Sequence, residues 1–236
     1  NHITLQHLPA AFDEFTLLQI SDLHLDMADD FPHVLIDAIR QVSYDLCVLT
    51  GDFKAETYGP YEDALQALQQ VRTHLEGEVY GVLGNHDTIC MVPAMESMGI
   101  RMLLNEQVVL QRPGGVIYLA GIDDPHYYRA DNIEKAGDDI PEGAVSILLA
   151  HSPEVYRHAA HADFDVMLCG HTHGGQMCLP GGIAVMCNVD CPREYCAGAW
   201  RFHGLSGYTS AGSGACVVDL RINCPPEITL HHLHCA

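Results

Sequence analysis

The chain has 236 residues, 48% of them hydrophobic and 18% charged, with a formal net charge of -20 at pH 7; that length suffices for one well-buried globular domain over residues 1–236. So acidic a balance argues against a nonspecific nucleic-acid groove or an anionic membrane surface as partner. No apolar run approaches the roughly 20 residues that a membrane span needs, and any phosphate substrate must meet a local cation.

Phe15 to Ser21 reads as an apolar strand that runs into Asp22-Leu23-His24. Alternate residues of an extended chain point the same way, so Asp22 and His24 can offer an oxygen and a nitrogen to one ion. Leu35, Ile36, Ile39 and Val42 recur at helical spacing behind Pro32, which predicts a covering helix. Leu46 to Thr50 is a second buried strand, and it leads into Gly51-Asp52. Tyr61, Leu65, Leu68, Val71 and Leu75 share one helical face and predict a helix ending before Gly77. Val79 to Leu83 forms a third strand ahead of Gly84-Asn85-His86-Asp87. Three strand-then-helix units that deliver polar residues at the same strand end imply a parallel sheet with one functional rim.

Between Ile100 and Gly121 the pattern turns to short β runs, with a hairpin expected at Arg112 to Gly115. The polar loop Asp123 to Arg129, which contains His126, has the composition of a substrate-facing lip or of a plain solvated loop. Val145 to Ala150 is a strand that delivers His151, and Ser152-Pro153-Glu154 then starts a helix. Asp165 to Cys169 delivers Gly170-His171-Thr172-His173, with glycines on both sides leaving room for a metal or phosphate. From Gly174 onward, glycine and proline punctuate short segments through Val217, Ile222 and Ile228 to Leu230, predicting a second sheet with antiparallel pairing. The closing His231 to Cys235 either pairs as a last strand or binds a transition metal adventitiously.

Among ten cysteines, Cys47 and Cys169 fall in strand-like runs and read as buried thiols. Cys178, Cys187, Cys191 and Cys196 crowd one loop-rich segment, fitting a structural zinc site or a disulfide pair. So many thiols without a regular framework point to a reducing, cytoplasmic setting. The chain begins with Asn rather than Met, which leaves an upstream signal or anchor open.

Asp22-Leu23-His24, Gly51-Asp52, Gly84 to Asp87, His151 and Gly170 to His173 together resemble the full motif series of the calcineurin-like metallophosphoesterases. Every block is present, in order, after a predicted strand, from about Leu17 to Gly175. The tail Ile222 to Ile228 is similar to the closing strand of a bacterial branch that holds phosphodiesterases and UDP-diacylglucosamine pyrophosphohydrolase-like enzymes. The resemblance implies an α/β fold, a four-layer α/β/β/α sandwich with two mixed sheets, and two divalent transition-metal ions on one rim. It implies Asp22, His24, Asp52 and His173 around the first ion, and Asp52, Asn85, His151 and His171 around the second, with Asp52 bridging. The chemistry agrees: two cations roughly 3.5 to 4 Å apart need a shared anion. Oxygen and imidazole donors without a thiolate suit Mn, Fe, Co, Ni or Zn better than Ca or Mg alone.

The same resemblance sets His86 beside the phosphate, stabilising charge or protonating the leaving oxygen, as an imidazole can near neutral pH. Asp87 would orient His86 through its other ring nitrogen, or else cap a helix. Asn85, His126, Arg129 and Arg193 are the substrate-side candidates. Lys54, in a stretch that departs from the family's habit, would bind substrate or pair with Glu56. The implied activity is hydrolysis of a phosphate ester, foremost a diester, by a metal-bridged hydroxide, and no GxSxG nucleophile motif competes. The alternatives are a pyrophosphohydrolase acting on a UDP-linked lipid precursor, which an apolar surface around the rim would favour, and a noncatalytic metal-binding scaffold. Long polynucleotides fit poorly, since there is no basic stripe, and the oligomeric state is left open.

Overall fold

The computed structural model describes all 236 residues. Its first half runs β1 (His2–Leu5), β2 (Thr16–Ile20), α1 (Phe31–Ile39), β3 (Leu46–Thr50), α2 (Glu62–Arg72), β4 (Val79–Val82), α3 (Val92–Ser97) and β5 (Ile100–Met102). There follow β6 (Glu106–Arg112), β7 (Gly115–Gly121), α4 (Ile133–Gly137), β8 (Ser146–Leu149), α5 (Tyr156–His161) and β9 (Val166–Cys169). The remaining strands are β10 (Cys178–Leu179), β11 (Ile183–Ala184), β12 (Gly198–Phe202), β13 (Leu205–Thr209) and β14 (Thr229–Cys235).

Two six-stranded sheets, ordered β1-β14-β2-β3-β4-β5 and β12-β13-β9-β8-β7-β6, carry the fold. Both are mixed: β2, β3, β4 and β5 pair in parallel beside an antiparallel β14, and β7, β8, β9 and β13 do so between antiparallel β6 and β12. Continuous apolar strands such as Leu46 to Thr50 are buried on both faces, as parallel strands between two layers must be. One core cluster fills the space between the sheets, joining Leu17, Val48 and Val82 to Leu119, Ile147 and Leu168. A second lies under α1 and α2 on the far side of the first sheet, and a third under α5 on the far side of the second. The layers are therefore α/β/β/α.

Register decides where the chemistry goes. Ile20 pairs with Leu49, and Thr50 with Val82, so β2, β3 and β4 end side by side and their following loops are neighbours. Leu149 pairs with Leu168, so the loops after β8 and β9 are neighbours in the other sheet. The two groups meet across the sandwich, where the Gln19 side-chain amide donates to the Cys169 carbonyl at 2.9 Å.

The segment after Gly174 differs from the sequence expectation. Apart from the small antiparallel pair β10 and β11, its strands do not build a sheet of their own: β12 and β13 extend the sheet already begun by β6 to β9, and β14 returns to the first sheet between β1 and β2. Val217 is 86% exposed and lies in no strand, and Ile222 makes only an isolated bridge to Met177. The histidine-rich end is the paired strand β14, in which the His231 ring is fully buried and donates from Nε2 to Gln19 Oε1 at 2.9 Å. Burial holds His231 neutral, with its pKa pushed down to about 3.

Candidate metal centre

All seven residues that the motif series singles out as ligands converge on the rim where the loops after β2, β3, β4, β8 and β9 meet. Asp22, His24, Asp52, His171 and His173 all have positive φ, between 43° and 71°. Such backbone costs on the order of 1 kcal/mol or more per non-glycine residue, yet it turns each side chain sharply from its strand end into the shared space. Hydrogen bonds between loops hold the strain: Asp22 N donates to Gly51 O at 3.0 Å, His24 N to Asp52 O at 3.0 Å and His171 N to Asp22 Oδ1 at 2.9 Å.

Ligand atoms of Asp22, His24 and Asp52 lie within 4.8 Å of one another, and so do those of Asp52, His151 and His171. Asp52 belongs to both groups. Asn85 Oδ1 stands 3.0 Å from His151 Nε2, and His173 Nε2 stands 3.1 Å from His24 Nε2 and 3.5 Å from Asp22 Oδ1. These donors fit two ions sharing Asp52, because their hydrogen bonds orient the rings. His24 Nδ1 donates to the Lys54 carbonyl (2.9 Å), His151 Nδ1 to the Thr50 carbonyl (2.8 Å) and His171 Nε2 to the Asn188 carbonyl (3.0 Å). A carbonyl only accepts, so each outer nitrogen carries the proton and the inner one faces the centre, the usual arrangement behind metal-bound histidines.

Electrostatics point the same way. Burial lowers His24 to about 4 and His171 to about 3, so both rings are neutral and able to ligate. Burial would lower His151 too, but the Asp52 carboxylate at 3.2 Å outweighs it and lifts the ring to about 10. Burial and the Asp52 charge raise Asp22 to about 6 and Asp87 to about 7. Three buried carboxylates held against one imidazolium leave the pocket short of positive charge, which divalent cations would supply.

His86 sits at the mouth, its side chain 19% exposed, with Nε2 3.9 Å from Asp52 Oδ2 and Nδ1 3.3 Å from Thr57 Oγ1. Asp87 neither orients that ring nor caps a helix. Its carboxylate accepts from the backbone amides of Asp52, Phe53 and Gly84, each at 2.8 Å, so it binds the loop after β3 to the loop after β4. Lys54 is buried and donates to the Tyr58 carbonyl at 3.1 Å, not to Glu56. His126 does reach the rim: its ring packs 4.2 Å from that of His171, and Glu154 accepts from its Nδ1 at 3.0 Å, raising its pKa. Arg129 is exposed and makes no ion pair or hydrogen bond through its side chain, and Arg193 donates to the Val185 carbonyl at 3.1 Å. All ten cysteines are free thiols.

Sequence reading missed Arg221, whose guanidinium lies behind His173, with one nitrogen 3.1 Å from the ring Nδ1, and donates to the carbonyls of Ala211 and Gly214. It also missed Cys216, whose sulfur groups with His24 and His173 within 4.8 Å. Both come from the aperiodic link between β13 and β14. Its composition carries no signal beyond the -Ile-Asn-Cys-Pro-Pro-Glu-Ile- run itself.

The sequence pattern of the calcineurin-like phosphoesterase family matches residues 15–175, a stretch that holds all seven candidate ligands from Asp22 to His173. The chain is a calcineurin-like phosphoesterase. Among curated relatives of this calcineurin-like phosphoesterase, a Bacillus subtilis metallophosphoesterase, YkoQ, is 28% identical over 236 residues, covering 96% of this chain and 86% of the relative. The Escherichia coli phosphodiesterase YaeI is 29% identical over 234 residues, covering 93% of this chain and 82% of the relative. Among solved structures, a dimetal phosphatase from Danio rerio superposes with a TM-score of 0.55 at 13% identity, covering 94% of this chain and 93% of that one, a likeness of fold. The calcineurin-like phosphoesterase described here is thus a metal-dependent phosphoester hydrolase.

Gly170 tests how closely the calcineurin-like phosphoesterase loops must approach. A Cβ there would fall on Ser21 Oγ and the Asp22 carboxylate, short side chains held by the Thr50 carbonyl and the His171 amide. Gly170→Ala should destabilise the fold by about 1–3 kcal/mol, the usual scale of overpacking, and lower metal content as Asp22 is displaced. Thermal denaturation and elemental analysis check both, and unchanged values would show that the loops have slack.

Proposed function

We propose that the chain is a phosphodiesterase that works with two divalent transition-metal ions, drawn from Mn, Fe, Co, Ni and Zn. The observation that carries the reading is the membership of buried Asp52 in both ligand groups. When bound, such a pair of ions supplies Lewis acidity toward phosphoryl oxygens and a water ionised at neutral pH. The chain's own residues do the rest. Asn85 and His126 stand where they can orient the phosphoryl group, and His86, open to solvent at the mouth, protonates the leaving oxygen. Asp87 keeps the loops bearing Asp52 and His86 in register.

A diester is favoured over a monoester by charge. A monoester dianion asks for cations beyond the metals, but Lys54 and Arg221, the cations nearest the ligand-bearing loops, already donate to backbone carbonyls. The relative named as a phosphodiesterase agrees. One observation favours a second reading, a pyrophosphohydrolase acting on a UDP-linked lipid precursor. Leu179, Ile183 and Met186 on the loop after His173, with Val217, Leu220 and Ile222 on the adjoining one, are between 43% and 86% exposed, an apolar surface beside the rim that an acyl chain would cover.

Metal-reconstituted protein assayed against an aryl phosphomonoester, an aryl phosphodiester and a UDP-linked lipid pyrophosphate in detergent separates these readings. The diester should lead. A lead for the lipid substrate would assign the second reading, and a lead for the monoester would remove the charge argument.

A further inference from the structure

We propose that Cys216 is a ligand of the first metal, its sulfur joining His24 and His173; the inference rests on the dimetal reading above. The ligand set drawn from the motifs contains only oxygen and nitrogen, so this adds a soft donor to a borderline site. The ligand atoms of His24, His173 and Cys216 lie within 4.8 Å of one another. Donors around a single zinc-sized ion, at about 2.0–2.3 Å from it, stand roughly 3–4 Å apart, so a side-chain adjustment of well under 1 Å per residue closes the set.

Cys216 is also held in place from both sides. Gln176, buried and with positive φ, follows His173 by three residues. Its Oε1 accepts from Cys216 N at 2.8 Å, while its Nε2 donates to Cys216 O at 2.9 Å and Val218 O at 3.1 Å. One side chain thus clamps the Cys216 backbone to the loop that carries His173. Just upstream, Ser213 N donates to Ser21 O at 2.9 Å and Gly214 N to Asp22 O at 2.8 Å, tying the same segment to the loop that carries Asp22. Cys178 and Cys224 each donate from sulfur to a backbone carbonyl at 3.2 Å, whereas the Cys216 thiol is directed at no carbonyl and stands 3.9 Å from the His86 ring.

On ligation the S–H bond breaks, the sulfur–metal bond forms and the proton leaves to solvent; no electron is transferred. A thiolate would bias the first site toward zinc, iron(II), cobalt(II) or cadmium and away from manganese and magnesium. It would also hold a nucleophilic sulfur where oxidants or alkylating agents reach it only when the ion is gone.

The test loads the full chain with cobalt(II) and reads metal content by elemental analysis beside the near-ultraviolet sulfur-to-cobalt charge-transfer absorption. Two cobalt ions per chain with that band in the wild type, and two without it in Cys216→Ser, are expected. The preference for cadmium over manganese should fall on the order of 10-fold in the variant, since one soft donor is lost. Mass-spectrometric mapping of iodoacetamide labelling needs no variant: labelling at Cys216 should be slowed by cobalt, while exposed Cys90 reacts equally fast either way. Two ions per chain with no band, or a band that survives in Cys216→Ser and disappears in Cys196→Ser, overturns the inference and leaves the dimetal reading standing. No bound cobalt overturns both.

Discussion

An Asp52→Asn variant will lose more than one metal ion per chain and about 1,000-fold in kcat/KM, which corresponds to about 4 kcal/mol of transition-state stabilisation. The size follows from position. Asp52 shares ligand-atom clusters with Asp22 and His24 on one side and with His151 and His171 on the other, so weakening it weakens both sites, whereas Asp22→Asn or His151→Ala weakens one. Asparagine is the informative replacement because its oxygen can still accept from His86 N, a bond of 2.9 Å in the native protein. What it removes is the charge. Without metal, that charge also raises Asp22 and Asp87 through repulsion and lifts His151 to about 10. With asparagine, the two carboxylates lose a repelling neighbour and His151 loses the strongest of the groups that favour its charge, so the burial that opposes that charge weighs more. The metal-free melting temperature at pH 8 should therefore stay near that of the wild type, while the stabilisation on adding metal, about 2.7 kcal/mol at 100 times Kd for an intact site, should be mostly lost. Near-full occupancy by two ions in the variant would sink the bridging assignment.

The candidate ligands were legible as polar residues at the ends of apolar strands, where loops of parallel sheets converge, and the resemblance to the motif series then implied which of them would share an ion. Their position at strand ends needed no tertiary information beyond that regularity. What remained hidden depends on contacts between distant segments. β14 has an unremarkable alternating pattern, and nothing local tells it to enter between β1 and β2 rather than extend the sheet of β12 and β13. Asp87 looked like a partner of its neighbour His86, yet the amides of Asp52 and Phe53 lie some 35 positions back in the chain, and three backbone donors outcompete one ring. Cys216 and Arg221 belong to a glycine-interrupted link with no periodicity, so only the fold reveals that both lie against His173.

His86→Ala should keep both metals and lower turnover by roughly 100- to 10,000-fold, the contribution of a positioned proton donor. Metal retention is expected because the contact that ties this residue to the centre is its backbone N–H to Asp52 Oδ1, which alanine preserves, and because Asp87 continues to hold the loop through three amides. The ring contributes elsewhere. It stands at the mouth with Nδ1 against Thr57 Oγ1 and Nε2 turned toward the inner groups, so its proton can reach an oxygen leaving outward but is not needed to assemble the site. The deficit should also shrink for aryl esters, whose leaving oxygens need little protonation. Equal losses across leaving groups would instead assign the ring to charge stabilisation at the phosphoryl group; loss of metal along with activity would make it part of the ligand scaffold.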